Sequence, residues 1–260
     1  MNKKSIVLIL TAMIFTTAIS QAQEYKISVQ NSSDEKLSLI DFMGSLPIEG
    51  YNGKDIIIVP TSGFSVEAPE RADGLKPSYP NGTDNTGIGL ELEKSGNQIN
   101  VRCLLPITKR ATYKVKVPYN LAIKVESACE RNSNISIQNM KNEIEIKSCQ
   151  SIYLRDVTGP LVLSTVAGGI DIEYTKVNSD KPVSINSISG NIDITLPAKT
   201  PADLEIRTVT GSVSSDFDFP TDEGDMKQVG GKTYIYALNG GGVDYKIVSV
   251  SGNIQLTKGK

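Results

Sequence analysis

The segment Val183-Ser-Ile-Asn-Ser-Ile-Ser-Gly-Asn-Ile-Asp-Ile194 decides the fold, because the same pattern recurs along the chain. Further copies begin at Leu161, Leu204 and Tyr245. All four share the form apolar-x-apolar-x-[Ser/Thr]-[Val/Ile]-[Ser/Thr/Ala]-Gly-x-apolar, and all but the copy at Leu204 have another apolar residue two positions later. Looser copies without the Gly begin at Ile123 and Ile144. Such repeats predict stacked supersecondary units, none of which buries its apolar face alone.

Each unit is predicted to contain two short strands joined at a corner. Strand alternation places the first, third, tenth and twelfth residues inward, and we expect the Val or Ile at the sixth position to face inward as well. The Gly at the eighth position fits a corner where φ is positive or another segment approaches closely. These corner glycines are Gly168, Gly190, Gly211 and Gly252. Stacking the units predicts an all-β fold, a single-stranded parallel β-solenoid with the right-handed coiling usual for parallel crossovers.

The chain divides into three predicted parts. Residues 1–22 have the features of a signal peptide: Lys3 and Lys4, then an apolar run, then Ser20-Gln21-Ala22 as a cleavage site after Ala22. Residues 23–110 are predicted to form an irregular N-terminal β region with a long loop near 60–87. Residues 111–260 are predicted to form the solenoid, with repeats of about 21 residues and an acidic excursion near 216–231.

Charge and hydropathy narrow the class of protein. The chain has 27 Lys and Arg against 29 Asp and Glu, so removal of Lys3 and Lys4 leaves 25 basic residues and a net charge of −4. Nucleic-acid binding needs a basic surface, so we expect no nucleic-acid partner. No apolar run after the signal peptide approaches the length of a membrane span. The sequence therefore predicts an exported protein without a membrane span, located in the periplasm or at the cell surface.

Three cysteines remain in the exported chain: Cys103, Cys129 and Cys149. Aligned on the repeat without gaps, Cys149 falls at the sixth position of its unit, whereas Cys129 falls one residue later in the preceding unit. A disulfide needs close Cα atoms and converging Cβ directions, and this offset points the two side chains apart. We therefore favour buried free thiols, with a Cys129–Cys149 disulfide as the alternative.

Catalytic and metal-binding residues are sparse. The absence of His removes the Ser-His-Asp and Cys-His relays and His-ligated zinc. No Cys-x-x-Cys pair and no phosphate-binding glycine loop of the P-loop type is present. The sequence predicts no catalytic residue, no cofactor and no resident metal.

The strongest remaining cluster is carboxylic. Asp171 and Asp193 occupy the same outward position of neighbouring units, with Glu173 close by. Stacked carboxylates repel one another unless a cation lies between them, so these three residues are weak candidates for a Ca²⁺ site. We favour a solvated face instead. A glycosidase could also use two carboxylates, but the chain has no Trp and its repeats offer few aromatic platforms for a sugar.

The chain resembles a bacterial family of adhesin-like β-solenoid proteins of unknown function, common in Bacteroidetes-like envelopes. The resemblance rests on Gly87-Ile-Gly-Leu-Glu-Leu-Glu93, on Val117-Pro118 before the first unit, and on Gly240-Gly-Gly-Val-Asp-Tyr-Lys-Ile-Val-Ser-Val-Ser-Gly-Asn-Ile254. It implies a solenoid fold and an envelope location, and it carries over no catalytic residues.

We therefore predict a non-enzymatic envelope protein that acts through contacts with a protein or a glycan. The main alternative is a periplasmic structural or signal-modulating protein with no adhesive role. A polysaccharide lyase or glycosidase is the minor alternative.

Overall fold

The computed structural model describes residues 24–62, 78–178, 181–218 and 232–259. The predicted signal peptide lies outside the described residues. The protein is all-β, and its described strands form two large, mostly parallel sheets of ten strands each, with a small two-stranded sheet beside them. Apolar side chains from both large sheets fill the space between them as one core.

The first sheet contains, in chain order, β1 (Tyr25–Ser28), β3 (Ser45–Tyr51), β4 (Asp55–Ser62), β9 (Thr112–Pro118), β11 (Asn134–Met140), β13 (Ile152–Val157), β15 (Ile170–Tyr174), β17 (Ile192–Pro197), β19 (Val213–Ser215) and β22 (Ile254–Gly259). Its lateral order is β1-β4-β9-β3-β11-β13-β15-β17-β22-β19.

The second sheet contains β2 (Lys36–Ile40), β7 (Leu90–Ser95), β8 (Gln98–Cys103), β10 (Ala122–Glu126), β12 (Ile144–Ser148), β14 (Leu161–Thr165), β16 (Val183–Ser189), β18 (Ala202–Thr208), β20 (Lys232–Leu238) and β21 (Val243–Ser251). Its lateral order is β20-β18-β21-β16-β14-β12-β10-β2-β8-β7. Strands β5 (Ser78–Tyr79) and β6 (Gly82–Thr83) form the small sheet.

The repeats alternate between the two sheets. The first strand of each unit joins the second sheet, the second strand joins the first sheet, and equivalent residues lie side by side, as Asp171 does with Asp193. The stacking does not follow the chain at its C-terminal end. Strand β21 lies between β16 and β18, and β22 lies between β17 and β19, so the last unit in sequence is inserted before the penultimate one.

The N-terminal part contributes units of the same kind. Strands β2 and β3 pair in parallel with β10 and β11 and so continue both sheets. The segment Leu37–Ile48 matches the repeat form with Gly44 at the eighth position and Leu46 at the tenth, a match that the sequence analysis missed. Its fifth and seventh positions are Asp41 and Met43 rather than small hydroxyl residues, which conceals it.

Antiparallel strands form three of the four edges of the two large sheets, and the fourth edge is β19, which pairs in parallel with β22. Strand β20 pairs antiparallel with β18 at one end, and β7, β4 and β1 provide the antiparallel pairings at the other. Tyr234 and Tyr236 of β20 stack at a centroid distance of 6.2 Å and pack against the core.

Position six faces solvent, which corrects the expectation that it faces inward. Val166, Ile188, Val209 and Val250 are between 42% and 53% exposed. The residues one position earlier are buried hydroxyls: Ser148, Thr165, Ser187, Thr208 and Ser249. The reason is simple alternation: positions one, three and five share the inner face, and the chain has not yet turned the corner at position six.

The three cysteines also differ from the favoured prediction. Cys103 is a buried free thiol, as expected, but Cys129 and Cys149 form a disulfide with a Cα–Cα distance of 5.0 Å. The prediction of free thiols at these two positions was wrong because the corners have different lengths. Nine positions separate Leu161 from Ile170 in a regular unit, but twelve separate Ile123 from Ile135 and eight separate Ile144 from Ile152. The longer corner contains a 3₁₀ turn, Cys129–Arg131, which redirects the Cys129 side chain.

Candidate binding surfaces

The carboxylate row lies on the outer face of the first sheet. Asp171 on β15 is the direct neighbour of Asp193 on β17, and Gln255 on β22 follows Asp193 in the same row. On the other side of Asp171 the row continues as Tyr153 on β13. The structure therefore brings the two predicted aspartates together, and it adds a basic residue that the sequence analysis did not single out.

That residue is Arg155, whose guanidinium lies against the acidic pair of β15. Its Nη1 donates to Asp171 Oδ1 at 2.9 Å and its Nη2 pairs with Asp171 Oδ2, so the contact is bidentate. Its Nε lies 3.6 Å from Glu173 Oε2. Hydrogen bonding to Asp171 raises the pKa of Arg155. A fixed guanidinium thus supplies positive charge beside Asp171 and Glu173.

Asp193 has a different environment from Asp171. Partial burial, and then the neighbouring charge of Asp171, raise the pKa of the Asp193 carboxyl. Within the described ranges, no group of three or more His, Cys, Asp or Glu side chains is arranged to hold a metal ion. Asp171, Glu173 and Asp193 therefore remain only weak candidates for a Ca²⁺ site, and the structure places the Arg155 guanidinium against Asp171 and Glu173.

The outer face of the second sheet changes character along the stack. On β2, β10 and β12 it carries a network in which Lys36 contacts Glu145 at 2.8 Å and Lys124 contacts Glu145 at 3.3 Å. Lys36 also contacts Glu143, which in turn meets Lys181 at 3.1 Å. Several charges share partners here, so each side chain loses less freedom per contact than it would in an isolated surface pair.

Beyond this network comes a stretch of the same face with few charges, formed by the outward residues of β14, β16 and the C-terminal half of β21. Its apolar members include Val162, Val166, Ile188 and Val250, all more than 40% exposed. Asn186 lies among them at the centre of β16. This stretch is called the neutral face below.

An acidic groove follows the neutral face at the C-terminal end of the stack. It has a volume of about 640 Å³, within the range of ligand-sized cavities. Asp203 and Asp244 are direct neighbours in it, and Glu205 pairs with Lys246 at 3.5 Å. Ile235 contributes an apolar wall and is 66% exposed. This groove is not apparent from the sequence, because Asp203 and Asp244 are 41 residues apart.

The corner glycines form a column along one edge of the stack. A Cβ built on Gly190 would overlap the backbone of Gly168, and one on Gly252 would overlap that of Gly190. Gly211 faces Gly252 in the same way, and Gly168 faces the backbone at Gln150. None of the four has positive φ. Of the two reasons expected from the sequence, close backbone approach is the one that the geometry shows.

The two predicted excursions contribute little described surface. Residues 63–77 of the loop near 60–87 and residues 219–231 of the acidic excursion lie outside the described residues. At the described base of the second excursion, Asp218 lies 3.4 Å from Lys258, and Phe217 is buried. In the described part of the chain, no helix is long and apolar enough to cross a membrane.

These observations define a repeat-built all-β protein with broad outer sheet faces. The chain belongs to the Toastrack DUF4097 family, whose model matches residues 16–257. This family assignment confirms the resemblance to adhesin-like proteins of unknown function. No curated protein sequence is significantly similar to the chain.

Two bacterial proteins are among the solved structures to which this chain is similar. A candidate cell adhesion protein of Clostridium sporogenes shares 12% identity with a TM-score of 0.44, over 92% of this chain and 100% of that chain. A candidate adhesin of Bacteroides fragilis shares 14% identity with a TM-score of 0.36, over 92% of this chain and 97% of that chain.

Proposed function

We propose that this chain is an exported bacterial envelope protein that binds protein or glycan through the outer faces of a right-handed parallel β-solenoid, without catalysing a reaction. The observation that carries the export of the chain in this proposal is the Cys129–Cys149 disulfide. Structural disulfides form and persist in oxidising compartments and are rare in the cytosol. The signal peptide inferred for residues 1–22, with cleavage after Ala22, supplies the route to such a compartment.

The disulfide offers a direct test of export. In cells of a native host, free thiols are blocked with a maleimide before lysis. Disulfides are then reduced, and the thiols that this releases are labelled. We expect Cys129 and Cys149 to become labelled only after reduction, and the mature chain to begin at Gln23 by mass spectrometry. A chain that lacks residues 1–22 is the control and should show both thiols free. Free thiols in the full-length chain inside intact cells would contradict export.

Binding rather than catalysis is supported by the ion pairing of the carboxylate row. Asp171 is engaged by Arg155 on both oxygens, whereas a glycosidase needs two carboxyl groups free to flank a sugar. We expect the mature chain to degrade no member of a broad polysaccharide panel. Turnover that disappears in Asp171→Asn or Asp193→Asn, but not in Asp244→Asn, would establish an enzyme instead.

Protease treatment of intact native-host cells distinguishes a location at the cell surface from a location in the periplasm. A known periplasmic protein is followed in the same sample. Cleavage of this chain while the periplasmic control survives would place it at the cell surface and support adhesive contact. Protection until the outer membrane is opened would support a periplasmic structural or signal-modulating role.

A further inference from the structure

The four lateral edges of the two large sheets, β1, β19, β20 and β7, differ in how well they are protected against further strand pairing. Strand β1 has four residues and β19 has three, so each offers only a short row of backbone groups. Strand β7 has six residues, of which three are charged. Strand β20 has seven residues, and none of the six from Thr233 to Leu238 is charged or is a proline. Short strands, charges and prolines are the usual means of blocking an edge, so β20 is the least protected of the four.

Strand β20 pairs with another strand on one side. All seven of its residues are in register with β18, and no other described strand pairs with it. A strand directs hydrogen-bonding groups to both of its sides, so a second strand can pair along a length of about 24 Å. At the centre of β20, Ile235 is 66% exposed, more than any other large hydrophobic residue in the described part of the chain. Strand β20 therefore offers both backbone groups and an apolar side chain to an added strand.

We propose that β20 pairs antiparallel with β20 of a second copy of the chain, about a two-fold axis at Ile235. In a two-fold contact each surface meets itself, so the strand must be complementary to its own reverse. The register centred on Ile235 uses all seven residues, in the pairs Ile235–Ile235, Tyr234–Tyr236, Thr233–Ala237 and Lys232–Leu238. No charged residue lies opposite another in this register. The two pairs of tyrosines are of the aromatic kind that stabilises cross-strand contacts.

The charged residues of β18, one strand further in, are compatible with this register. They lie beside the residues of β20 in the pairs Asp203–Ala237, Glu205–Ile235 and Arg207–Thr233. Asp203 is therefore in the same lateral row as Arg207 of the second copy, three strand spacings or about 14 Å away, and the opposite charges attract. Glu205 is level with Glu205 of the second copy at the same separation. That separation exceeds the Debye length of about 8 Å at physiological salt, and each Glu205 pairs with Lys246 at 3.5 Å.

The contact joins the second sheets of two copies into one continuous sheet and leaves their outer faces open for the protein or glycan contacts proposed above. Because both copies use the same edge, the assembly closes at two and the β20 edge is no longer offered to further chains. One pair of seven-residue strands is a smaller contact than the standard interface, which buries roughly 800 Å² per partner. We therefore expect a weak and reversible dimer.

Sedimentation velocity of the mature chain from about 10 µM to about 1 mM tests the proposal. The wild-type sedimentation coefficient should rise with concentration. Ile235→Lys sets two like charges opposite each other at the axis, so its coefficient should stay at the monomer value. Ile188→Lys is the matched control, because Ile188 is an exposed residue of the neutral face three strands away, and this variant should associate like wild type. Equal effects of both substitutions would overturn the proposal. A wild-type chain that is monomeric throughout would also overturn it and would leave a strand of another protein as the occupant to test.

A mixture of two charge variants tests the two-fold register. Ile235→Glu should be monomeric for the same reason as Ile235→Lys, but an equimolar mixture of the two variants sets opposite charges at the axis. We expect the mixture to associate although neither variant does so alone. Unchanged far-UV circular dichroism shows that both variants fold. A mixture that stays monomeric under conditions where the wild type associates would contradict an axis at Ile235.

Disulfide trapping provides a readout that does not depend on a charged substitution. Directly opposite residues of an antiparallel pair are close enough for a disulfide, so Ile235→Cys should cross-link to its own copy under mild oxidation. Ile188→Cys, which is exposed on the same sheet but away from the edge, should not. Cys103 is buried and serves as an internal non-reacting thiol. Equal cross-linking at both positions, or none at Ile235→Cys, would contradict pairing through β20.

Discussion

The backbone N–H of Asn253 donates a hydrogen bond of 3.0 Å to the side-chain oxygen of Asn191, 62 residues earlier in the chain. The side-chain oxygen of Asn253 in turn accepts a bond of 3.0 Å from the backbone N–H of Ser212. The corner at Asn253 therefore bridges two units that are consecutive in sequence but not adjacent in space. The last unit of the chain holds the penultimate unit in the stack.

Because the last unit is inserted before the penultimate one, a shorter truncated chain should be more protease-resistant than a longer one. A chain ended after Lys199 stops at an intact unit, β16–β17. A chain ended after Asn239 is 40 residues longer but lacks β21 and β22, so β18, β19 and β20 lose the strands that join them to the stack. We expect the longer chain to be the less protease-resistant, with its residues 200–239 degraded first, as measured by limited proteolysis and mass spectrometry.

A stack built in simple chain order would give the opposite result. Each added segment would then extend the core, and the chain ended after Asn239 would be at least as resistant as the one ended after Lys199. That outcome would contradict the inserted position of β21 and β22.

The sequence predicts the repeat, the inward positions one, three, ten and twelve, and the parallel pairing, because these follow from a local two-residue alternation and from the recurrence of one pattern. It does not predict the outward direction of position six. It does not predict the insertion, because Tyr245 fits equally well beside Val183 or beyond Leu204 by pattern alone. The Cys129–Cys149 disulfide was not the favoured prediction because the corners after Ile123 and Ile144 differ in length from the regular corner, and the repeat pattern does not specify these lengths. Arg155 was missed because its partners, Asp171 and Glu173, lie in the next unit.

Gly190 and Gly169 provide a test of the corner column. A methyl group at Gly190 would overlap the backbone of Gly168, whereas the nearest atom to a methyl group at Gly169 is 3.4 Å away. Gly190→Ala should lower the free energy of unfolding by ~3 kcal/mol, as overpacking against rigid backbone does. Gly169→Ala should change it by less than ~1 kcal/mol. Urea denaturation measures both changes. Equal losses would indicate that intrinsic backbone preference, and not the close approach of neighbouring backbone, accounts for glycine at these corners.

The Cys129–Cys149 disulfide should contribute to stability as well as report the compartment. It joins two corners that lack the regular glycine, across a sequence separation of 20 residues. A loop of this size lowers the entropy of the unfolded chain by an amount worth ~3 kcal/mol. Reductant should therefore lower the urea midpoint of the wild type but leave that of the Cys129→Ser/Cys149→Ser double variant unchanged. If the double variant were still destabilised by reductant, the loss of stability would not come from this disulfide.

Asp193 should make stability depend on pH. Burial and the charge of Asp171 raise the pKa of Asp193 in the folded state above its ordinary value of 3.8. Between these two pKa values the folded chain binds more protons than the unfolded chain, so this residue makes stability fall as pH rises through that window. Asp193→Asn should raise the urea midpoint at pH 7 and leave it nearly unchanged at pH 3.

The companion variant Arg155→Gln should act in the opposite direction. It removes the guanidinium from Asp171 and leaves the repulsion between Asp171 and Asp193 uncompensated, so it should lower the midpoint at pH 7 more than at pH 3. If Asp193→Asn destabilised the chain equally at pH 7 and pH 3, the Asp193 side chain would make a stabilising contact other than its interaction with the charge of Asp171.

Two buried tyrosines should respond in different ways to the loss of a hydroxyl. Tyr113 and Tyr245 are each 1% exposed. The Tyr113 hydroxyl donates to the carbonyl oxygen of Ile88 at 2.7 Å, whereas the Tyr245 hydroxyl has only the Tyr174 hydroxyl beside it and makes no well-formed hydrogen bond. Tyr113→Phe leaves a buried carbonyl unsatisfied and should cost ~1–2 kcal/mol of unfolding free energy.

Tyr245→Phe removes a polar atom from an apolar site and should be neutral or stabilising by up to ~1 kcal/mol. The edge-to-face contact of its ring with Tyr174, at a centroid distance of 6.3 Å, persists in the Phe variant. Thermal and urea unfolding of the two variants in parallel give the comparison. A loss at Tyr245→Phe as large as that at Tyr113→Phe would show that the Tyr245 hydroxyl makes a stabilising bond, with Tyr174 as its nearest candidate partner.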